Sequence, residues 1–429
     1  MILRDPVHGL VSFESEEERV VELLIDAPEV QRLRRVRQLG VASVAFPGAE
    51  HTRFAHAIGA AFVMKLLIAR LRAIHDELPY WQKLTSDRAR DALAAAFLHD
   101  VGHGPLSHLF EDALPGTPHH ETWTERVVLD PSTGVHRALV ALDAGMPERV
   151  ADLVRGRHPL AYLAKAVSGE FDVDRCDYLL RDAHATGVRY GNYDLEWLLR
   201  SLRFAPVTTE ADAPALAIDG AKGLPAIEAF ILARLFMFQQ VYLHKATRAA
   251  EWMIRTTLAR AAKVLADGAR LPGTPRAIEV GARGGEISLG DYLELDDGVL
   301  AVAMHAWEAG TDPALGDLCA RVRGRRLFKT LELFGDHATL EGRSRALHVA
   351  RDIAEKEQLD PELYVGLDVA TDEPFGSEAP IMVVYAKGPA RPLSEVSFLL
   401  GRLAGQVLSR VRLVFAPELR EKITHALAL

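Results

Sequence analysis

The sequence predicts a mostly α-helical protein that closes in a small α/β lobe. Two patterns carry this reading. Apolar residues recur at helical spacing through most of the chain up to Arg345, and three β-rich runs, ELYVGLDVA, PIMVVYA and VRLVFA, all fall after it. The size agrees: 429 residues, 49% apolar and 25% charged, supply a substantial core and suggest two domains, or one large domain with an appended lobe.

Residues 1–14 place Asp5-Pro6 and His8-Gly9 among aliphatics, which predicts a short strand or hairpin. Helical spacing then runs through 17–25, 28–38, 53–76, 86–98, 118–129, 147–154, 172–182 and 194–202. Two stretches rich in Ala, Gly and Pro, 205–224 and 268–290, read as loops or small β excursions around a helical pair near 225–247 and 250–266. A helix at 345–357, the three strands and a closing helix at 417–428 follow. The expected boundary therefore divides residues 1–345 from residues 346–429.

Charge and composition exclude several classes. Fifty basic against fifty-nine acidic residues give a net charge of −9, so no global field draws the chain to nucleic acid or an anionic membrane. Cys176 and Cys319 are too few for a disulfide framework, and MILRDPVHGL lacks the basic-then-apolar pattern of a signal peptide. The apolar stretch 58–74 is broken by Lys65 and Arg70 and is short for a bilayer span. A cytoplasmic protein without a membrane partner is expected.

Of 17 histidines, eight (His51, His56, His75, His99, His103, His108, His119 and His120) crowd between positions 51 and 120. Imidazole clusters serve chiefly metals and proton transfer near neutrality. The densest string is FLHDVGHGPLSH, Phe97 to His108. Its apolar helix ALAAAFL ends in His99-Asp100, and Gly102, Gly104 and Pro105 then force a turn, so an imidazole and a carboxylate leave a buried helix end together. That is half of a metal site, suited to Mn, Fe, Co, Ni or Zn. His75-Asp76 is an internal control: the same dipeptide without the glycine turn reads as a solvated helix end.

The ordered motifs HTRFAH (His51 to His56), LHDVGHGPLSH, His120-Glu121 and DVDRCDYLLRDAHATG resemble the HD-domain phosphohydrolases, specifically the dNTP triphosphohydrolase branch that includes the animal sterile-alpha-motif/HD enzyme and its bacterial relatives. The likeness runs from Asp5 to about Lys329. It implies an HD-domain helical fold, with its core at about 50–185 and a helical extension at 186–345. It also implies metal ligands at His56, His99, Asp100 and Asp174, and catalytic or proton-transfer roles for His103, His108, Glu111 and His120. Glu111 stands where some relatives carry Asp, and His119 is expected to be exposed.

For the substrate, the resemblance implies a dNTP with Mg²⁺ on its phosphates. Arg53, Arg175 and Arg234 match phosphate positions; Tyr178, Asp182 and Tyr242 match sugar positions; Gln38 and Leu39 match the 3′-hydroxyl side. Arg175 replaces a lysine of the animal enzyme, and Phe238 replaces a histidine.

Four arginines fall within 32–37, where Val30, Leu33 and Val36 mark the inward face of an amphipathic helix with solvated arginines. The resemblance alternatively places Asp26, Gln31 and Arg34 in a pocket for a GTP or dGTP activator between subunits. His244, Lys245, Arg325 and Lys329 would complete it in a homo-oligomer, a dimer or tetramer. The activity implied is dNTP + H2O to deoxynucleoside and inorganic triphosphate. At this level, two alternatives stay open: a phosphodiesterase or nucleotidase on another nucleotide or single-stranded nucleic acid, and a noncatalytic nucleotide sensor.

Overall fold

In a computed structural model, residues 1–114, 117–169, 171–205, 214–373, 375 and 381–427 are described, apart from the side chains of Glu77, His108 and Asp112. Among the described residues, helices dominate and the strands form three small sheets. The N-terminal hairpin pairs Ile2–Asp5 antiparallel with Gly9–Ser12. Asp5 Oδ1 sets its turn by accepting from the N–H groups of Val7 and His8, both at 2.9 Å.

The helix Arg53–Ile74 lies at the centre. Thr52 caps it by accepting from the N–H of Ala55 at 3.4 Å, and burial of Phe54, Ala57, Ala60, Val63, Met64 and Leu67 leaves it little solvated face. Ser86–Leu98 and Val173–Thr186 pack against it. Ser86–Leu98 buries its whole ALAAAFL run, so it ends inside the protein, with His99 as the residue that closes it.

The 28–38 segment is helical only over Pro28–Arg32, followed by a 3-10 turn at Leu33–Arg35. Tertiary contacts stop it: Arg37 bridges to Thr52, and Arg32 turns inward. The buried Arg32 guanidinium donates to the carbonyls of Leu295 (2.7 Å), Val101 (3.0 Å) and His103 (2.7 Å). The expectation of four solvated arginines is therefore corrected at Arg32, which straps three carbonyls from separate segments together. Arg34 and Arg35 are exposed.

By length and composition, Leu224–Tyr242 is apolar enough to cross a bilayer. Ile227, Phe230, Ile231 and Met237 nevertheless sit in the main core. The long helix Lys245–Ala266 joins the two other cores. Ile254, Leu258 and Leu265 pack with Trp123, Tyr292 and Trp307, whereas Trp252 and Met253 pack with Phe328, Leu413 and Phe415.

At the C-terminal end, Leu408–Phe415 is the centre strand between Lys329–Glu332 and Val365–Asp372, all antiparallel. Met382–Val384 pairs in parallel with Leu216–Asp219 and antiparallel with Arg391–Pro392. The segment after position 346 thus shares two sheets with strands that precede it.

Candidate active site

Three helices bring together side chains that could ligate a metal ion. His56 comes from the first turn of Arg53–Ile74, His99 from the end of Ser86–Leu98, and Asp174 from the first turn of Val173–Thr186. His56 Nε2 and His99 Nε2 are 3.3 Å apart, and Asp174 Oδ1 lies 3.0 Å and 3.5 Å from them. Asp100 faces the same point, with Oδ2 3.7 Å from His56 Nε2 and Oδ1 3.5 Å from His99 Nε2. His75 and Asp76 form a separate 3-10 turn, with Asp76 exposed.

The donor set fits a divalent ion. His99 Nδ1 bonds the Ala96 carbonyl at 2.9 Å, and His56 Nδ1 bonds Asp177 Oδ2 at 2.8 Å. Those partners only accept, so each Nδ1 carries the proton and two bare Nε2 lone pairs point at one another beside carboxylate oxygens. Such a cluster needs positive charge at its centre. Without metal, His56 takes a proton instead: burial opposes its charge, but Asp174 and Asp177 outweigh burial and push it up to about 10. Burial also opposes the charge on Asp174, but the two imidazoles hold its carboxyl well below the usual range.

Asp177 is a residue the sequence reading passed over. Fully buried, it accepts from His56, from His8 Nε2 at 2.6 Å, and from Arg181 Nε and Nη2 at 2.8 and 2.9 Å. Its sequence signal was the spacing in DVDRCDYLLRD: Asp177 is one helical turn after Asp174 and one turn before Arg181.

A second polar chain leads away from Asp100. His103 Nε2 is 3.2 Å from Asp100 Oδ1, and the His103 ring stacks on His120 with centroids 3.8 Å apart. His120 Nδ1 reaches Glu111 Oε1 at 3.2 Å, and His103 Nδ1 lies 3.8 Å from the same oxygen. Burial, then the nearby Arg53 charge, holds His103 well below its ordinary value and hence neutral. His119 is 79% exposed, though its Nδ1 still lies 3.4 Å from Glu111. The His108 side chain lies outside the described residues. Gly102 permits this assembly: a Cβ there would stand 2.2 Å from the Thr124 nitrogen and 2.3 Å from the His120 carbonyl. Thr124 Oγ1 accepts from the Gly102 N–H and donates to the His99 carbonyl, both at 3.0 Å.

Beside the metal cluster opens a cavity of about 450 Å³ lined by Gln38, Leu39, Arg53, Tyr178, Asp182, Arg234 and Tyr242. Arg53 joins the two features. Its guanidinium pairs with Asp100 and donates to Ser107 Oγ at 2.8 and 3.1 Å. Leu106 and Ser107 hold positive φ angles of 55° and 60°. That strained turn is tied down by Asp297, which accepts from the Leu106 and Arg37 N–H groups at 2.8 and 3.0 Å. At the other end, Asp182 accepts from the Tyr242 hydroxyl at 2.7 Å and from His51 Nε2 at 2.8 Å. A π-helical turn at Phe238–Tyr242 aims Tyr242 there. Gln38 Oε1 is buried with no hydrogen-bond partner among the described residues.

Arg175 is not among the residues lining this cavity. Its guanidinium pairs with Asp172 and the Gly169 carbonyl at the start of its own helix. The cavity also takes Leu109, Thr247, Arg248 and Glu251, which the motifs did not single out.

The residues matched to an activator pocket are spread over several elements. Asp26 is exposed, Gln31 donates to the Ile25 carbonyl at 2.6 Å, and Arg34 stacks over Phe54 at 3.6 Å. His244 packs edge-on to Phe46 at 5.2 Å, and Arg325 donates to the Val44 carbonyl at 2.7 Å. Lys245 and Lys329 are exposed at the starts of a helix and a strand.

The chain is 31% identical over 427 residues to the uncharacterized protein YwfO of Bacillus subtilis, covering 97% of this chain and 92% of that one. It is 26% identical over 367 residues to human deoxynucleoside triphosphate triphosphohydrolase SAMHD1, covering 76% of this chain and 54% of the human protein. A crystal structure of a phosphohydrolase from Bacteroides thetaiotaomicron superposes with a TM-score of 0.79 at 27% identity, over 97% of this chain and 99% of the other. No protein-family model matches the chain. Three helices that bring the two imidazoles and the Asp174 carboxylate together, with Asp100 alongside, and relatives that match nearly its full length, give the same answer: the chain belongs to the HD-domain phosphohydrolases.

Proposed function

We propose that this protein is a metal-dependent dNTP triphosphohydrolase, which converts dNTP and water to deoxynucleoside and inorganic triphosphate. One observation carries the reading: a single cavity joins arginines suited to phosphate with a carboxylate–tyrosine pair suited to a sugar, and its Arg53 is bonded directly to Asp100 of the metal cluster. His56, His99, Asp100 and Asp174 would hold a transition ion (Mn, Fe, Co, Ni or Zn), and Mg²⁺ would accompany the triphosphate. The ion, when bound, polarises a phosphoryl oxygen and lowers the pKa of water.

The remaining work falls to the chain. Arg53 and Arg234 neutralise phosphate oxygens, and Ser107 keeps the Arg53 fork in its plane. Water oxygen attacks the α-phosphorus, and the bond from phosphorus to the sugar 5′-oxygen breaks. That oxygen leaves as an alcohol and takes a proton, for which His108 is the intended donor, with His103, Glu111 and His120 as the connected reserve. Asp182 and Gln38 receive the sugar 3′-hydroxyl, while Tyr242 walls off the 2′ position and favours a deoxy sugar. Arg175 would turn from Asp172 to the phosphates on binding.

Asp26, Gln31, Arg34, His244, Lys245, Arg325 and Lys329 belong in this reading to a GTP or dGTP activator site in a cytoplasmic homo-oligomer. The test incubates purified protein with Mn²⁺ or Mg²⁺ and each dNTP, with and without dGTP. Intact tripolyphosphate supports the reading; pyrophosphate or orthophosphate as the first product refutes it. Assembly without any turnover marks a nucleotide sensor instead.

A further inference from the structure

We propose that His8, carried by the N-terminal hairpin, is a positioning residue for the metal centre: with Asp5 and Arg181 it immobilises Asp177, so that His56 presents a bare Nε2. The inference rests on the metal-dependent reading above and adds to it a residue outside the HD motifs.

Among the described residues, four hydrogen bonds saturate Asp177. Oδ1 accepts from His8 Nε2 at 2.6 Å and Arg181 Nη2 at 2.9 Å; Oδ2 accepts from His56 Nδ1 and Arg181 Nε, each at 2.8 Å. Two bonds per oxygen leave no lone pair to spare and no freedom to rotate. The remaining arm of Arg181 donates from Nη1 to Asp5 Oδ2 at 2.8 Å. Asp5 Oδ1 meanwhile accepts from the Val7 and His8 N–H groups. Asp5 therefore places the two residues besides His56 that hold Asp177, one through a guanidinium and one through the hairpin turn. The His8 ring is steadied on Phe62, with centroids 5.4 Å apart.

Tautomer choice follows from this circuit. Asp177 only accepts, so the His56 proton stays on Nδ1, and the opposite nitrogen keeps the lone pair a metal needs. Without His8, Oδ1 keeps only Arg181 Nη2 and the carboxylate can tilt on the guanidinium; His56 could then carry its proton on Nε2 and close the site. A ring that merely filled space would not need its nitrogen, so removal of that nitrogen is the informative change.

Three variants of the full chain test this: His8→Phe, His8→Gln and Asp5→Asn. Phenylalanine keeps the packing on Phe62 without the donor, whereas glutamine restores a donor at similar reach. Mn²⁺ affinity is read by competition with a chromophoric chelator, and thermal unfolding of the metal-free proteins is followed in parallel. The expected result is ~10–100-fold weaker Mn²⁺ binding for His8→Phe, as for other residues that orient a metal-bound histidine, with most of the loss restored in His8→Gln. The two His8 variants should unfold at similar temperatures without metal. Unchanged affinity in His8→Phe, or equal losses in both His8 variants, overturns the proposal. Should His8→Phe fail to fold, Asp5→Asn decides: it keeps the turn acceptor but sets an amide against Arg181, and undiminished affinity there overturns the proposal too. A wild-type protein that takes up no Mn²⁺ refutes the metal reading itself, a result distinct from a binding wild type with an indifferent His8.

Discussion

Replacing Gly59 by alanine would put a methyl carbon 1.9 Å from Asp177 Oδ1, 2.5 Å from its Cγ and 2.3 Å from Arg181 Nη2. Neither neighbour can yield: Arg181 and Asp177 are buried and bonded to each other twice, and Asp177 also holds His56. The helix itself would gain about 1 kcal/mol from the better propensity of alanine. Disrupting a buried ion pair costs about 3–5 kcal/mol. The balance is a net loss of about 2–4 kcal/mol of stability, together with weaker Mn²⁺ binding, because the displaced carboxylate is the one that orients His56. Urea unfolding of the metal-free protein, followed by circular dichroism, reads the first quantity, and chelator competition reads the second. An alanine variant with an unshifted unfolding midpoint and wild-type metal affinity would refute the claim that these atoms are packed without slack.

Asp174→Asn removes the negative charge that faces both imidazoles; Mn²⁺ affinity should fall by at least the ~10–100-fold lost when a residue that merely orients a ligand is changed, and dNTP hydrolysis with it. Tyr242→Phe deletes the hydroxyl that donates to Asp182, worth about 1 kcal/mol, so the ratio of kcat/KM for dNTP over rNTP should narrow by about fivefold. Arg32→Met removes the donors to the carbonyls of Leu295, Val101 and His103 and should cost about 3 kcal/mol in unfolding experiments, more than the same change at the exposed Arg34. For the metal-free protein, the raised value of His56 means that its contribution to stability is complete below its ordinary 6.5 and is lost as pH rises through about 10. Thermal unfolding without metal should therefore weaken across that window, and Mn²⁺ should flatten the slope; a metal-free slope of the opposite sign would contradict the charge assignment.

What could be read in advance was local. His99-Asp100 is a contiguous pair at the end of one apolar helix, followed by residues that forbid the helix to continue, so its projection into the interior depended on only a few neighbouring positions. The hairpin at Asp5 to Gly9 was equally legible, because Asx turns satisfy their own backbone within three residues. Segment 28–38 was not: its periodicity describes an amphipathic helix, yet the buried carbonyls of Val101, His103 and Leu295 draw Arg32 inward, and the helix gives way to a 3-10 turn. Nor was the turn at Leu106-Ser107, whose positive φ angles persist because Asp297, about 190 residues away, holds its backbone.

The amino-acid order on its own determined where most of the long helices arise and which short strings carry imidazole beside carboxylate, since helical periodicity, capping and turn formation are settled between residues a few positions apart; segment 28–38 and the helix Arg276–Ala282, in a stretch expected to be loop or β, are the exceptions. Only the folded chain decided that Asp174 faces the two Nε2 atoms while Asp177 stands behind one of them. The two acids differ by a single helical turn in sequence, and what separates them is the position of His8, 169 residues distant along the chain from Asp177, and of Arg181, which with His56 saturate one carboxylate, whereas the other faces the two Nε2 atoms. Contacts of that range are chosen by packing, where one buried charge must find all its partners at once.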